Sequence, residues 1–238
     1  MDRPHRDPTM PACSDPRQAA SALGWFATLA GQGVLATEES AAIQSIEAGP
    51  ELPWIWMGVP GTAPPARRRP PLVLRRDENG WGGDVRCGIR LPVARDAVGA
   101  IMLQHALDAD GDDGLATVLA ECERVLVPGG MLWIAALNPW TPYRARWARS
   151  GLLARDPGHW QRALARSGFA TDAIRVQWLG PYWRPIHGEA GVGMVDRLRA
   201  AFAITVIKRV AAPIACTRPR EWRLTPARGS VPRSHARR

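Results

Sequence analysis

Lysine, long apolar runs and cysteine motifs are what this sequence has least of. Lys208 is the only lysine among 31 basic residues. Apolar runs stay shorter than the roughly 18 residues that a membrane-spanning helix needs, and the N-terminus lacks the apolar core of a secretory signal. Cys13, Cys87, Cys122 and Cys216 show no C-x-x-C or cysteine–histidine spacing, which argues against zinc and a disulfide framework. A cytoplasmic, reduced protein is expected.

The formal net charge of +9 raises the question of nucleic-acid binding. Much of the excess lies in residues 217–238, where seven arginines accompany one acid, Glu221. Proline-broken, charge-rich tails are typically solvated and disordered. The near absence of lysine indicates a bias in codon composition. Nucleic acid is therefore not expected as a partner, and the sequence leaves the oligomeric state open.

The composition divides the chain into four parts. Gly31 and Gly33 are expected to end a first helix, and Thr37 to cap a second one that ends at Gly49. Proline and arginine make 62–71 poor helix material. The predicted parts are a disordered N-terminus (1–14), a helix pair (15–50), an α/β domain (51–212) and a basic disordered tail (213–238).

Short apolar segments alternate with helical patterns through the α/β domain, which indicates a mainly parallel sheet. One segment, Phe202–Ile207, is also compatible with a membrane-surface helix anchored by Lys208 and Arg209, but its β-branched residues favour a strand. The predicted strands are Pro53–Met57, Leu72–Leu74, Val85–Ile89, Ala97–Gln104, Met131–Leu137, Ala173–Leu179 and Phe202–Ile207. The predicted helices of this domain are Gly114–Leu126, Pro157–Ser167 and Gly193–Ala201.

The segment Glu121–Leu137 joins a helix end, a Pro128-Gly129-Gly130 turn and a wholly apolar strand. Together with Asn138-Pro139-Trp140, this pattern resembles the class I S-adenosylmethionine (SAM) methyltransferase superfamily, and in particular small bacterial methyltransferase-domain proteins. The resemblance covers about residues 17–212. It implies a Rossmann-like sandwich with a mainly parallel seven-stranded sheet whose last strand is antiparallel.

The resemblance also implies where SAM would be held, and the motifs there are degenerate. A glycine-rich turn after the first strand is represented by Gly58, Val59 and Gly61, with Pro60 between them. Asp77 would have to supply the ribose carboxylate, because arginines stand at the expected place and arginine has donors only. The three remaining cofactor-binding predictions are Cys87, Gly88 and Gln104.

Catalytic candidates lie after the fourth and fifth strands. His105 is the predicted general base, and Asn138 and Tyr143 stand in a segment typical of a pocket rim. The leading hypothesis is a SAM-dependent methyltransferase with a small-molecule acceptor. The alternative is a catalytically inactive methyltransferase-like module that no longer binds SAM. A third hypothesis is that the arginines at 67–69 and 75–76 hold a phosphate-bearing ligand or nucleic acid.

Overall fold

A seven-stranded mixed sheet organises the chain in a computed structural model that describes residues 21–66, 70–77, 80–181 and 195–209. The sheet order is β3-β2-β1-β4-β5-β7-β6. The predicted Rossmann-like class I methyltransferase fold is confirmed, with β7 antiparallel to both of its neighbours. The strands are β1 (Trp54–Gly58), β2 (Leu72–Asp77), β3 (Gly80–Gly83), β4 (Val98–Gln104), β5 (Leu126–Leu137), β6 (Arg175–Leu179) and β7 (Ala201–Ile207).

The third strand differs from the prediction of Val85–Ile89. Residues Gly80–Gly83 form β3, which folds back on β2 as an antiparallel hairpin, with Trp81 opposite Arg76. Antiparallel strands need no crossover helix, so β3 joins the sheet edge without one. The predicted segment contributes only a single bridge, between Cys87 and Trp81.

Two other element boundaries also move. β5 begins at Leu126 rather than Met131, and a register shift accommodates the Pro128–Gly130 segment inside the strand. In the described part of the predicted helix Gly193–Ala201, a short 3-10 helix covers Val195–Leu198. The predicted disordered ends, 1–14 and 213–238, lie outside the described residues.

The N-terminal helices also divide differently from the prediction. A 3-10 helix covers Gly24–Ala27, and helix α1 runs over Leu29–Glu47 with Thr28 as its N-cap. The Thr28 hydroxyl accepts a hydrogen bond from the Gly31 amide, whereas the Thr37 hydroxyl donates to Val34 within the helix. Gly31 lies in the first turn of α1, so close to the preceding 3-10 helix that a Cβ atom would lie 2.5 Å from Phe26 Cα. This glycine permits close packing rather than ending a helix.

Helices cover both faces of the sheet. Helix α1 packs on the face formed by Trp56, Met102 and Trp133, and together they form one buried core. Helices α2 (Asp112–Val125) and α3 (Pro157–Arg166) cover the opposite face. The apolar stripe of α2 follows the helical period, which explains its orientation. Its members are Leu115, Val118, Leu119, Cys122 and Val125.

The connection from β1 to β2 carries no helix in its described residues, 59–66 and 70–71. Parallel neighbours are usually joined through a crossover helix. Here α1, which precedes β1 in the chain, covers the adjacent sheet face instead. The carboxyl ends of β1 and β2 therefore face a loop rather than the amino end of a helix.

Lys208 binds groups at the amino-terminal edge of the central strands, opposite the carboxyl ends of β1 and β2. Its ammonium group donates to Asp96 Oδ1 at 2.7 Å and to the Glu123 and Leu126 carbonyls at 2.6 and 2.8 Å. The side chain is 9% exposed. The sole lysine of the chain thus ties the end of β7 to the turn before β4 and to the α2–β5 junction.

We expect Lys208→Met to lower the free energy of unfolding by about 2–3 kcal/mol, because two buried carbonyls lose their donor. Urea denaturation of both variants and the parent measures this. Arg209→Met is the matched control and should change stability by less than about 0.5 kcal/mol, since its pair with Asp172 is about three-quarters exposed. Equal effects of the two substitutions would contradict the structural role of Lys208.

Candidate functional site

A buried charged triad lies at the carboxyl end of β4. His105 Nε2 lies 2.7 Å from Glu38 Oε1 on α1, and its Nδ1 lies 2.7 Å from Asp108 Oδ2. All three side chains are almost completely buried. Asp108 Oδ2 also accepts from the Leu137 amide at 3.0 Å, and Gln104 Nε2 donates to Glu38 Oε2 at 3.0 Å. The triad therefore joins α1, β4 and β5.

The histidine of this triad is a cation. Burial by itself lowers the pKa of His105, but the charge of Glu38 and the hydrogen bonds to Asp108 and Glu38 outweigh burial and raise the pKa to about 10. The residue also adopts a left-handed backbone conformation, with φ of 53°. That conformation costs a side-chain-bearing residue about 1–2 kcal/mol, which the two charged contacts offset. Both ring nitrogens of the predicted base are engaged, so neither is available to a methyl acceptor in this structure.

The turn after β1 folds back on itself. The Thr62 hydroxyl donates to the Val59 carbonyl at 2.8 Å, and a Cβ atom at Gly58 would lie 2.5 Å from that hydroxyl oxygen. Gly58 thus makes room for the side chain of its own turn. Arg75, the register neighbour of Gly58 on β2, donates from Nη2 to the Thr62 carbonyl at 3.0 Å.

A second arginine spans the crevice at which the strand order reverses. Arg76 at the end of β2 reaches across to Asp110, which follows β4, with Nη2 and Oδ1 2.7 Å apart. Its guanidinium lies over Trp81, 5.1 Å from the ring centroid. Burial raises the pKa of Asp110, and the charge of Arg76 opposes that rise. Ligands of doubly wound sheets normally bind at this switch point, between β1 and β4.

The predicted ribose and adenine contacts lie at the β2–β3 hairpin and in the segment that follows it. Asp77 continues into the hairpin opposite Gly80, and its carboxylate lies 3.7 Å from Arg86. Cys87 packs towards the α2 face of the sheet, and burial followed by the charge of Glu121 raises the pKa of its thiol. Gly88 follows it in an exposed loop.

Asn138 and Tyr143, the other two predicted catalytic residues, bind backbone groups of neighbouring segments. Asn138 is fully buried: its Nδ2 donates to the Arg197 and Arg199 carbonyls at 2.7 Å, and its Oδ1 accepts from the Trp140 amide. Tyr143 donates its hydroxyl to the Ala30 carbonyl at 3.2 Å, and burial raises its pKa. These contacts tie the segment after β5 to β7 and to α1. The predicted site residues thus lie in four regions: the end of β4, the turn after β1, the β2–β3 hairpin with the segment after it, and the segment after β5.

A cleft of about 290 Å³ opens between α1 and the turn after β1. It contains two predicted cofactor-binding residues, Gly61 and Gln104, at the carboxyl edge of the sheet. Trp56 forms part of its wall, and the indole Nε1 is buried without a hydrogen-bond partner. The full lining is Gln32, Leu35, Ala36, Glu39, Ala42, Trp56, Gly61, Thr62, Ala63, Pro65 and Gln104.

Sequence reasoning missed Glu38, Asp108 and the roles of Arg76 and Thr62. Glu38 carried a usable signal, because it interrupts a helical stripe otherwise made of Val34, Leu35, Ala41, Ala42 and Ile46. An acid on the buried face of a helix requires a partner. For Asp108 and the other two residues, the sequence offers no comparable pattern.

The residues at the crevice do not fit a conventionally bound SAM. The place of the ribose carboxylate is taken by Arg75, which can only donate and already binds the Thr62 carbonyl. Thr62 occupies the inside of the turn that glycines would leave open. Arg76 and Asp110 cross the switch point. These contacts occupy the crevice of a methyltransferase fold, and Asp77, the last residue of β2, is the carboxylate that remains at this end of the strand.

A metal-binding cluster and a membrane-spanning helix are both absent from the part of the chain that the structure describes. There, no three His, Cys, Asp or Glu side chains come together as metal ligands. The helices of the same part are too short or too polar to cross a membrane.

The fold is similar to that of solved SAM-dependent methyltransferases. One from Thermotoga maritima, described as a possible histamine N-methyltransferase, is 15% identical, covers 82% of this chain and 98% of its own, and gives a TM-score of 0.53. Another from Leishmania major is 11% identical, covers 84% and 87%, and gives a TM-score of 0.48. No family model and no curated protein matches the chain. The likeness to the Thermotoga maritima protein establishes the fold and leaves activity open.

The triad predicts an unusual dependence of stability on pH. The folded state holds the His105 proton up to a pKa of about 10, whereas the unfolded chain releases it near 6.5. The contribution of His105 is therefore complete below pH 6.5 and is lost as the pH rises towards 10. We expect the free energy of unfolding to fall by about 3 kcal/mol between about pH 7 and pH 9.

Urea denaturation at several pH values measures this slope, and His105→Gln is the control. That variant should lose about 3–5 kcal/mol at neutral pH, because two buried carboxylates lose their cation. It should also lose most of the slope. A parent protein with the same pH dependence as the variant would contradict a charged His105.

Proposed function

We propose that this chain is a methyltransferase-fold protein that binds a small molecule and has lost the conventional SAM site. The observation that carries this proposal is the guanidinium of Arg75. It stands beside Gly58, two residues before β2 ends at Asp77, and is bound to the Thr62 carbonyl. A donor-only group thus replaces the acceptor that two ribose hydroxyls require.

Energetics support the same conclusion. A cofactor entering the crevice would have to displace the contacts of Arg75 with Thr62 and of Arg76 with Asp110. A hydrogen bond to a charged group contributes about 1.5–3 kcal/mol, and each 1.4 kcal/mol is about a tenfold change in affinity. Losing two such contacts would weaken a micromolar site to the millimolar range or beyond.

The cleft beside α1 offers a place for a small ligand. Its volume of about 290 Å³ lies at the lower end of the range for small-molecule sites, about 300–1,000 Å³. It combines apolar walls from Leu35 and Ala42 with a few polar groups, among them the unpartnered indole of Trp56.

Free thiols at Cys87 and Cys122 support a reducing, cytoplasmic location as part of this proposal.

The second candidate function is SAM-dependent methylation of a small-molecule acceptor. The observation that favours it is the position of the cleft, which meets the carboxyl edge of β1 and β4 with Gly61 and Gln104 in its wall. In this case Asp77 would still serve the cofactor, as the sequence predicts. His105, Asn138 and Tyr143 would then position neighbouring segments rather than touch the acceptor.

Calorimetric titration with SAM and with its demethylated product, S-adenosylhomocysteine, decides between the two functions. We expect no binding below about millimolar concentration, because two charged contacts oppose entry. Asp77→Ala should leave this result unchanged. Micromolar binding that Asp77→Ala weakens, or methylation of any acceptor, would overturn the loss of the cofactor site and establish the enzyme.

A further inference from the structure

We propose that the cleft between α1 and the turn after β1 selects a small organic cation, an amine with an apolar body. This inference rests on the proposed small-ligand function and names the chemistry of its ligand. The cleft contains one charged side chain among its described lining residues, the exposed carboxylate of Glu39. That is a local contrast in a chain of net charge +9.

A second source of negative potential lies directly behind the cleft wall. The triad combines two carboxylates, Glu38 and Asp108, with one imidazolium, His105, so that one negative charge is uncompensated. These groups are buried, and charges in a poorly solvated interior act over longer distances than charges in water. A cation in the cleft would receive this attraction in addition to that of Glu39.

Gln104 connects the buried triad to the cleft, because it binds Glu38 and also lines the cleft. Its Nε2 donates to Glu38 Oε2 at 3.0 Å, and because a carboxylate only accepts, the orientation of the amide is determined. The group that Gln104 can offer a ligand as an acceptor is therefore its oxygen, Oε1. A hydrogen bond to a charged acceptor polarises the amide further. An ammonium group fits both Oε1 and the carboxylate of Glu39.

Trp56 adds an apolar wall to this arrangement. The indole is 2% exposed, and its Nε1 is buried beside Gly58 and Thr62, as the Nε1 atoms of Trp81, Trp133, Trp147 and Trp160 are buried elsewhere. The ring therefore offers the cleft apolar surface. The cleft thus matches an amine with an apolar body.

Three molecules of one shape test the selection: 2-phenoxyethylamine is the cation, 2-phenoxyethanol its neutral counterpart and phenoxyacetate the anion. All three share the same apolar phenoxy body. Calorimetric titration of the full chain at fixed ionic strength should give tightest binding for the amine, by about tenfold or more over the alcohol. The anion should bind more weakly than the alcohol.

Matched variants on α1 locate the site. Glu39→Gln should weaken binding of the amine by about tenfold and leave the alcohol unchanged. Glu47→Gln removes the same charge from the exposed end of the same helix, outside the cleft, and should have no effect. Equal binding of amine and alcohol, no binding of the amine, or equal effects of the two variants would overturn the inference. SAM titrated in parallel tests the loss of the cofactor site separately.

Discussion

An imidazolium held between two buried carboxylates determines how the functional edge of this sheet is arranged. His105 leaves β4 in a left-handed conformation, which turns its ring between Glu38 of α1 and Asp108 of the following loop. Asp108 in turn binds the amide of Leu137 at the end of β5. Through these contacts a helix that precedes the sheet in the chain is fastened to the carboxyl ends of two central strands. Two carboxylates buried in the same place without the imidazolium would destabilise the fold by several kcal/mol.

The position of α1 has consequences for ligand binding. The described β1–β2 connection carries no helix, so backbone amides of a helix terminus do not point at the crevice as they would in phosphate- and dinucleotide-binding sheets. Thr62 and two arginines fill the space instead, with Arg75 held by a carbonyl and Arg76 by Asp110. The cleft beside α1 has Glu39 in its lining, and Arg75 is bonded to the carbonyl of Thr62 in its wall. A scaffold of known type can thus present different chemistry at its ligand edge, since function resides in the site and not in the fold.

Local patterns predicted the scaffold well where burial alone decides structure. The apolar runs of β4, β5 and β7 are nearly continuous because both faces of these strands are covered. The apolar stripe of α2 was equally predictable from the sequence, because one face of that helix is buried and the other is solvated. Elements that depend on specific packing contacts could not be predicted from such patterns. Gly31 resembles a helix end in sequence, and only its approach to Phe26 shows why it lies inside α1.

The sequence by itself determined the fold class and the order of the elements, because these depend on residue type and on period along the chain. The tertiary structure alone decided which polar groups meet. Only the fold brings Glu38 to the ring of His105, some 67 positions away in the chain. Only the fold places Asp77 opposite Gly80 and Cys87 opposite Trp81, because the sequence of the β3 hairpin does not distinguish it from a parallel strand. The roles of these residues in catalysis and cofactor binding remain predictions. Charge pairing across the fold is a property of positions in space, and the same spacing in sequence is compatible with many such pairings.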